Sequence, residues 1–194
     1  MQKMFDAGCD PEMYQAQGKG HNFPDMTGEL CPQCRGEYLK KHGFYSRQLV
    51  TIEFEGIIII RRYYCHACGK TVSLLPSFCH PKRTYGILVI IRLLVEFYIK
   101  MGTVCQIAAN FLAATGVECT RQLLLHYRKR IEKNLNSLAM AITEIYSMGS
   151  PPVTEKSDTR KKVGQLLSNI LKPQETSLKI FELTRATYLT KQAS

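Results

Sequence analysis

The sequence predicts an α+β fold in which a small antiparallel zinc ribbon precedes a three-helix helix-turn-helix domain and C-terminal helices. Two Cys-x-x-Cys pairs flank a segment that is rich in β-branched and aromatic residues, which is typical of short strands. After Pro81 the apolar residues recur with the period of helices. Gly102 and Gly116 divide this part of the chain into three helices.

Size and charge restrict the class of protein. The chain has 194 residues, of which 45% are apolar, enough for one domain or two small ones. Its formal net charge is +10, and residues 31–134 carry most of it. Such a charge favours a polyanionic partner, nucleic acid before an acidic membrane surface. The alternative is a soluble protein that is merely basic.

No segment of the sequence has the properties of an export signal or a membrane anchor. The N-terminal residues lack an apolar core, and the most apolar run, 87–99, is interrupted by Arg92 and Glu96. That run is also shorter than the roughly 20 residues that span a bilayer. We therefore expect a cytoplasmic, nucleoid-associated protein with no membrane partner. Its eight cysteines are then thiols or metal ligands rather than disulfides.

The first part of the chain is predicted to contain little besides the ribbon. Residues 1–30 show no sustained period and are expected to form an irregular N-terminal extension. The ribbon is assigned to residues 31–80, with a hairpin turn at Glu55-Gly56 and a last strand that ends at Pro76.

The second part is predicted to be helical. The helix-turn-helix domain is assigned to residues 81–147, and Thr103 with Gln106 fits a capping box at the start of its second helix. The third helix begins near Thr120. Its inward face is expected to consist of Leu124, Tyr127, Ile131, Leu135 and Leu138. A linker over 148–162 and a helical tail over 163–194, divided at Pro173, complete the chain.

The paired cysteines predict a metal site. A tetrahedral zinc ion takes four thiolates, and each Cys-x-x-Cys turn presents two of them. Cys31, Cys34, Cys65 and Cys68 are therefore expected to bind one structural Zn²⁺ per chain. The alternatives are redox-active or plain thiols, although neither pair lies in the βαβ context of a thioredoxin-like motif. The sequence does not assign a role to Cys79 or His80.

The third helix of the helical domain is the predicted DNA-reading element. In a helix-turn-helix, the second helix of the pair enters the major groove. Arginine can read guanine, glutamine can read adenine, and lysine or arginine can hold phosphates. The residues of this helix that are expected to contact double-stranded DNA are Arg121, Gln122, His126, Lys129, Arg130 and Lys133. Four basic residues outside the helix are expected to lie along the DNA backbone: Arg61, Arg62, Lys82 and Arg83. The alternative is a three-helix packing with a solvated polar face.

The motif "CPQC…HGFYSR…IIRRYYCHACGKTVSLLP", followed by these helices, resembles the N-terminal zinc-ribbon and helix-turn-helix module of bacterial transposases and transposase-derived proteins. The resemblance extends over residues 31 to about 134, and the second cysteine pair with its "GKTVSLLP" tail is its most specific part. It implies that the four paired cysteines bind zinc and that the helix from Thr120 contacts DNA.

Complete transposases of this type also carry a nuclease domain in which three separated carboxylates hold two metal ions. After Asp25 this chain has one aspartate, Asp158, which lies in the predicted linker. We therefore expect a DNA-binding module without catalysis, whose C-terminal helices form a homodimer or bind a transposase. The alternatives are a zinc-ribbon adaptor for a protein partner and an accessory subunit of a transposase or nuclease that another chain completes.

Overall fold

The computed structural model describes residues 1–100, 102–146, 159–168, 170 and 173–184. The fold is mixed α+β, as predicted, and divides into two compact units, Met1–Gly86 and Ile87–Ser194. The first unit thus extends beyond residue 80, the predicted end of the ribbon. Among the described residues no helix is long and apolar enough to cross a membrane.

The first unit is built on a four-stranded sheet. Its strands are β1 (Gln2–Phe5), β2 (Lys40–Val50), β3 (Glu55–Tyr64) and β4 (Thr71–Pro76), in the order β1-β4-β3-β2. β2, β3 and β4 pair antiparallel, whereas β1 pairs parallel with β4.

The predicted hairpin turn at Glu55-Gly56 is wrong. Both residues belong to β3, where they pair with Val50 and Leu49. The chain reverses at residues 51–54, where the Thr51 amide donates to the Phe54 carbonyl at 2.7 Å and the Phe54 amide donates to Thr51 Oγ1 at 3.0 Å. The Thr51 side chain stabilises this turn, and β-branched threonine is a weaker turn signal than glycine.

The prediction that residues 1–30 are irregular is also wrong, because β1 and α1 (Pro11–Gln17) lie there. The Asp10 carboxylate caps α1 by accepting from the Met13 amide at 2.8 Å.

β4 pairs with β3 only at Arg62–Tyr64, which leaves carbonyls free on the rest of that edge. The Tyr14 hydroxyl donates to the Ile59 carbonyl at 2.9 Å, and Gln15 Nε2 donates to the Ile57 carbonyl at 3.0 Å. Helix α1 therefore caps the open edge of β3.

The second unit is helical over its described residues. Its helices are α2 (Ile87–Ile99), α3 (Val104–Thr115), α4 (Arg121–Tyr146), α5 (Thr159–Ser168) and α6 (Pro173–Thr184). α5 begins inside the stretch that was expected to be a linker, and the rest of that stretch lies outside the described residues. α6 begins at Pro173, because proline suits the first turn of a helix.

The boundaries of α3 and α4 have local causes. Both bonds of the predicted capping box are present, since Gln106 N donates to Thr103 Oγ1 at 3.3 Å and Thr103 N donates to Gln106 Oε1 at 2.9 Å. Gly116 ends α3 with a φ of 70°, the left-handed conformation that favours glycine. The Thr120 hydroxyl then accepts from the Leu123 amide at 3.2 Å and starts α4.

Candidate metal centre and basic helix

The four paired cysteines lie together in the first unit. Cys31 and Cys34 lie in the loop before β2, and Cys65 and Cys68 lie between β3 and β4. The Sγ atoms of Cys31 and Cys68 are 3.8 Å apart, those of Cys34 and Cys65 are 3.6 Å apart, and all four lie within 4.8 Å of one another. A tetrahedral ion with metal–sulfur bonds of about 2.3 Å would place its sulfurs about 3.8 Å apart. The four thiols are therefore spaced to hold one metal ion.

Both cysteine pairs lie in turns of the same construction. The carbonyl of the first cysteine accepts from the amide four residues on, Arg35 for Cys31 at 2.8 Å and Gly69 for Cys65 at 3.0 Å. These two residues have positive φ values, 53° at Arg35 and 66° at Gly69. Glycine adopts this conformation without strain, whereas Arg35 pays a small energetic cost for it.

Backbone amides point at the sulfurs and favour the thiolate form. Burial raises the pKa of Cys31, but hydrogen bonds from the amides of Cys34 and Gln33 and from neighbouring thiols outweigh burial and lower that pKa to about 7. The Lys70 amide lowers the pKa of Cys68, but burial and the three neighbouring sulfurs raise it to about 12. Four thiols in one site cannot all ionise without a cation among them, and a bound metal ion supplies that charge.

The surroundings of the site restrict access to it. Cys31 and Cys65 are fully buried, Cys68 is half-buried, and Cys34 is exposed. The Glu37 carboxylate accepts from the Ala67 amide at 3.0 Å and so ties the first cysteine turn to the second. This contact joins residues that are 30 positions apart, so no local pattern in the sequence indicates it.

Cys79 and His80 are not part of the metal site. Among the described residues, the group of Cys31, Cys34, Cys65 and Cys68 is the one set of Cys, His, Asp and Glu spaced to hold a metal. Cys79 and His80 are both fully buried. Burial raises the pKa of Cys79 to about 12, and it lowers the pKa of His80 to about 4, so both side chains are neutral at pH 7.

Helix α4 in the second unit carries the predicted basic face. Leu124, Tyr127 and Ile131 are fully buried, and Leu138 is nearly so. Leu135 is half-buried. Of the residues predicted to face DNA, His126 is half-buried, whereas the exposed ones are Arg121, Gln122, Lys129, Arg130 and Lys133. The nearest acidic residue on this part of α4, Glu132, accepts from Arg128 Nε at 2.9 Å and from the Tyr98 hydroxyl at 3.0 Å.

The structure separates the other four predicted DNA contacts. Arg61 and Arg62 are neighbours in β3 and therefore point to opposite faces of the sheet. The Arg61 guanidinium lies 4.6 Å from the centre of the Phe44 ring, and the Arg62 guanidinium lies 5.5 Å from that of Tyr45. Lys82 is exposed and Arg83 is half-buried. Arg61 and Arg62 therefore lie on opposite faces of the sheet, and their contact with DNA stays a prediction.

Comparison with known proteins gives one match. Residues 31–108 match the model of a family described as a domain of unknown function, DUF6431. The matched segment contains both cysteine pairs, β2 to β4, α2 and the start of α3. No match was found among curated proteins or solved structures.

Proposed function

We propose that this chain is a zinc-containing DNA-binding protein similar to the DNA-recognition module of bacterial transposases, with no catalytic site of its own. In this proposal the first unit is a zinc ribbon, and α3 and α4 form a helix-turn-helix whose second helix reads the major groove. One structural zinc ion occupies the site of Cys31, Cys34, Cys65 and Cys68.

Zinc is the metal that suits this site best. Four thiolates in a tetrahedron select zinc or iron, and zinc does not change its redox state. Four protein ligands also leave no open position for water, so the ion stabilises the fold rather than activating a nucleophile. The first unit is small, and metal binding would supply part of its folding free energy.

The observation that carries the DNA-binding proposal is the charge on the exposed face of α4. Arg121, Lys129, Arg130 and Lys133 are exposed, and none forms an ion pair with another residue in the part of the chain that the structure describes. Glu132, the one acidic residue between positions 121 and 133, forms an ion pair with Arg128. Four unpaired cations on one helix form the electrostatic surface that phosphates require.

The chain offers a matched pair of variants that tests this assignment. Lys129 and Arg130 are adjacent exposed cations on α4, and Lys161 and Lys162 are adjacent exposed cations on α5 of the same unit. Each double alanine variant removes two positive charges. Binding to random duplex DNA is measured by fluorescence anisotropy. The salt concentration is varied from about 50 to about 300 mM, a range that includes roughly physiological ionic strength.

The proposal predicts that K129A/R130A weakens binding and reduces the slope of log K against log salt by about 2, one unit for each lost phosphate contact. The control K161A/K162A should change the slope little. Equal effects of the two variants would show that bulk charge, rather than α4, is responsible for binding. Absence of duplex binding by the zinc-loaded wild type would favour a protein-binding adaptor instead.

A further inference from the structure

The end of the β2–β3 hairpin nearest the cysteines carries a group of aromatic side chains around an arginine. We call the group of His42, Tyr45, Arg62 and Tyr64 the aromatic platform. Tyr64 and Arg62 alternate along β3 and therefore share one face of the sheet, and Tyr45 pairs with Ile60 on the same face. All four side chains are exposed or half-buried.

A β-bulge shapes the aromatic platform. The register of β2 and β3 shifts between Lys41 and Gly43, so His42 has no partner in β3. Its ring stacks on Tyr64, with ring centres 5.3 Å apart and planes inclined by 28°. His66 meets the same tyrosine edge-on, with centres 4.9 Å apart.

Gly43 leaves an opening at the centre of the aromatic platform. It pairs with Arg62 across the strands, and a side chain built at this position would meet no atom within 4 Å. Its φ of 129° is one that residues with side chains rarely adopt. The surface above Gly43, opposite Arg62, is therefore not filled from β2.

Arg62 lies beside this opening with hydrogen-bonding capacity to spare. Its guanidinium lies 5.5 Å from the centre of the Tyr45 ring. Its Nε is buried and has no hydrogen-bond partner among the described residues. Because Nε is closed to solvent, a ligand reaches the guanidinium through its two Nη groups.

The sequence around the aromatic platform is rich in positive charge. Residues 31–43 and 61–70 together contain six Lys or Arg and one acidic residue, Glu37. Of the six, Arg61 lies on the opposite face of the sheet, and Lys41 is paired with the Asp25 carboxylate at 3.1 Å. Glu37 is already engaged by the Ala67 amide and, at 3.7 Å, by the Lys40 ammonium group. Flat rings with a positive surround suit a ligand that combines π faces with negative charge.

We propose that the aromatic platform binds single-stranded nucleic acid, with unpaired bases stacked on Tyr45 and on the exposed His42 ring that Tyr64 supports, and a phosphate accepting hydrogen bonds from Arg62. Bases inside a duplex are stacked on each other and do not offer their faces to protein rings, so the ligand is a single strand. This site goes beyond the proposed function, because it lies in the first unit and does not depend on duplex binding by α4.

The test measures binding of fluorescein-labelled (dT) oligonucleotide of about 12 residues, a length within the usual site size, to full-length zinc-loaded protein. Tyr64→Leu removes the ring and Tyr64→Phe keeps it. The proposal predicts that Y64L weakens binding by about tenfold, since the aromatic stack loses one ring, whereas Y64F binds like the wild type. Zinc content is measured on every variant.

Further variants make the result decisive. His42 is exposed, so His42→Ala provides a second test if Y64L fails to retain zinc, and it too should weaken oligonucleotide binding. K161A/K162A, which removes two exposed positive charges from α5, is the charge control and should leave oligonucleotide binding unchanged. Equal affinities of wild type, Y64L and H42A, or no binding of the oligonucleotide at all, would overturn the proposal.

Discussion

At the scale of single residues, the central feature is the cysteine site, whose four thiols lie within 4.8 Å of one another. The two cysteines of each pair are separated by two residues, and a turn of that length brings both thiols to one side independently of the rest of the chain. Gly69 supplies the positive φ that the second turn needs. The prediction that Cys31, Cys34, Cys65 and Cys68 come together is therefore confirmed, whereas the identity of the metal stays a prediction.

Cys68→Ser should abolish stoichiometric metal binding and destabilise the first unit. A hydroxyl is a poor substitute for a thiolate ligand, and metal binding is folding free energy in small metal-stabilised domains. We expect the midpoint of thermal unfolding to fall by more than about 10 °C, the shift that a few kcal/mol produces in a domain of this size. Cys105→Ser, at an exposed cysteine on α3, is the control and should keep one zinc per chain.

The buried His80 should make stability depend on pH. Burial, together with the charges of Arg83 and Arg47, lowers its pKa to about 4, and its Nδ1 donates to the Pro81 carbonyl at 3.0 Å. The unfolded chain takes up this proton near pH 6.5, so the stabilisation is complete above that pH and is lost as the pH falls towards 4. The full effect is about 3 kcal/mol.

The variant His80→Asn keeps a donor for the Pro81 carbonyl but does not titrate. Denaturant unfolding of wild type and H80N at several pH values between 4 and 7 should therefore show a steeper loss of stability in the wild type. Zinc release at low pH is common to both proteins and cancels in the difference. Parallel curves would mean that His80 is not held neutral by the fold.

At the scale of elements, local signals predicted the helices better than the sheet. The capping box at Thr103 and the glycine at 116 act within one turn, and α3 and α4 lie where these signals place them. β1 was missed because it pairs with β4, about 70 residues away, and four residues show no usable period. The signal for α1 was available in Asp10-Pro11, a capping residue followed by a proline suited to the first turn.

Arg160 forms a contact between two helices that the sequence does not indicate. It lies in the stretch that was predicted to be a linker, yet it is the second residue of α5. Its Nη2 donates to the carbonyls of Phe97 at 2.8 Å and Lys100 at 3.0 Å, at the C-terminal end of α2. The guanidinium also lies 5.3 Å from the centre of the Phe97 ring. A positive charge at this end of a helix is favourable.

Arg160→Met should destabilise the second unit by about 1–3 kcal/mol, because it leaves carbonyl groups of α2 without a charged donor. The neighbouring Lys161→Met is the control, since that lysine is exposed and its loss should change stability by less than about 0.5 kcal/mol. Chemical denaturation followed by circular dichroism measures both variants. Similar stabilities would show that water replaces the guanidinium at no cost.

At the scale of the whole molecule, two properties combine in one chain: a four-cysteine site in the first unit and an exposed basic helix in the second. The net charge of +10 was readable from composition, and the placement of cations outside the buried stripe of α4 followed from helical period. The aromatic platform was not predicted, because it depends on a strand register and a bulge that join residues about 20 positions apart.

The most direct test of the account is a salt titration of binding to random duplex DNA, performed on wild-type protein whose zinc content has been measured in the same sample. Four phosphate contacts from Arg121, Lys129, Arg130 and Lys133 predict a slope of log K against log salt of about −3 to −4. One zinc per chain with such a slope is the expected result. A slope near zero, or no binding by fully zinc-loaded protein, would contradict the account.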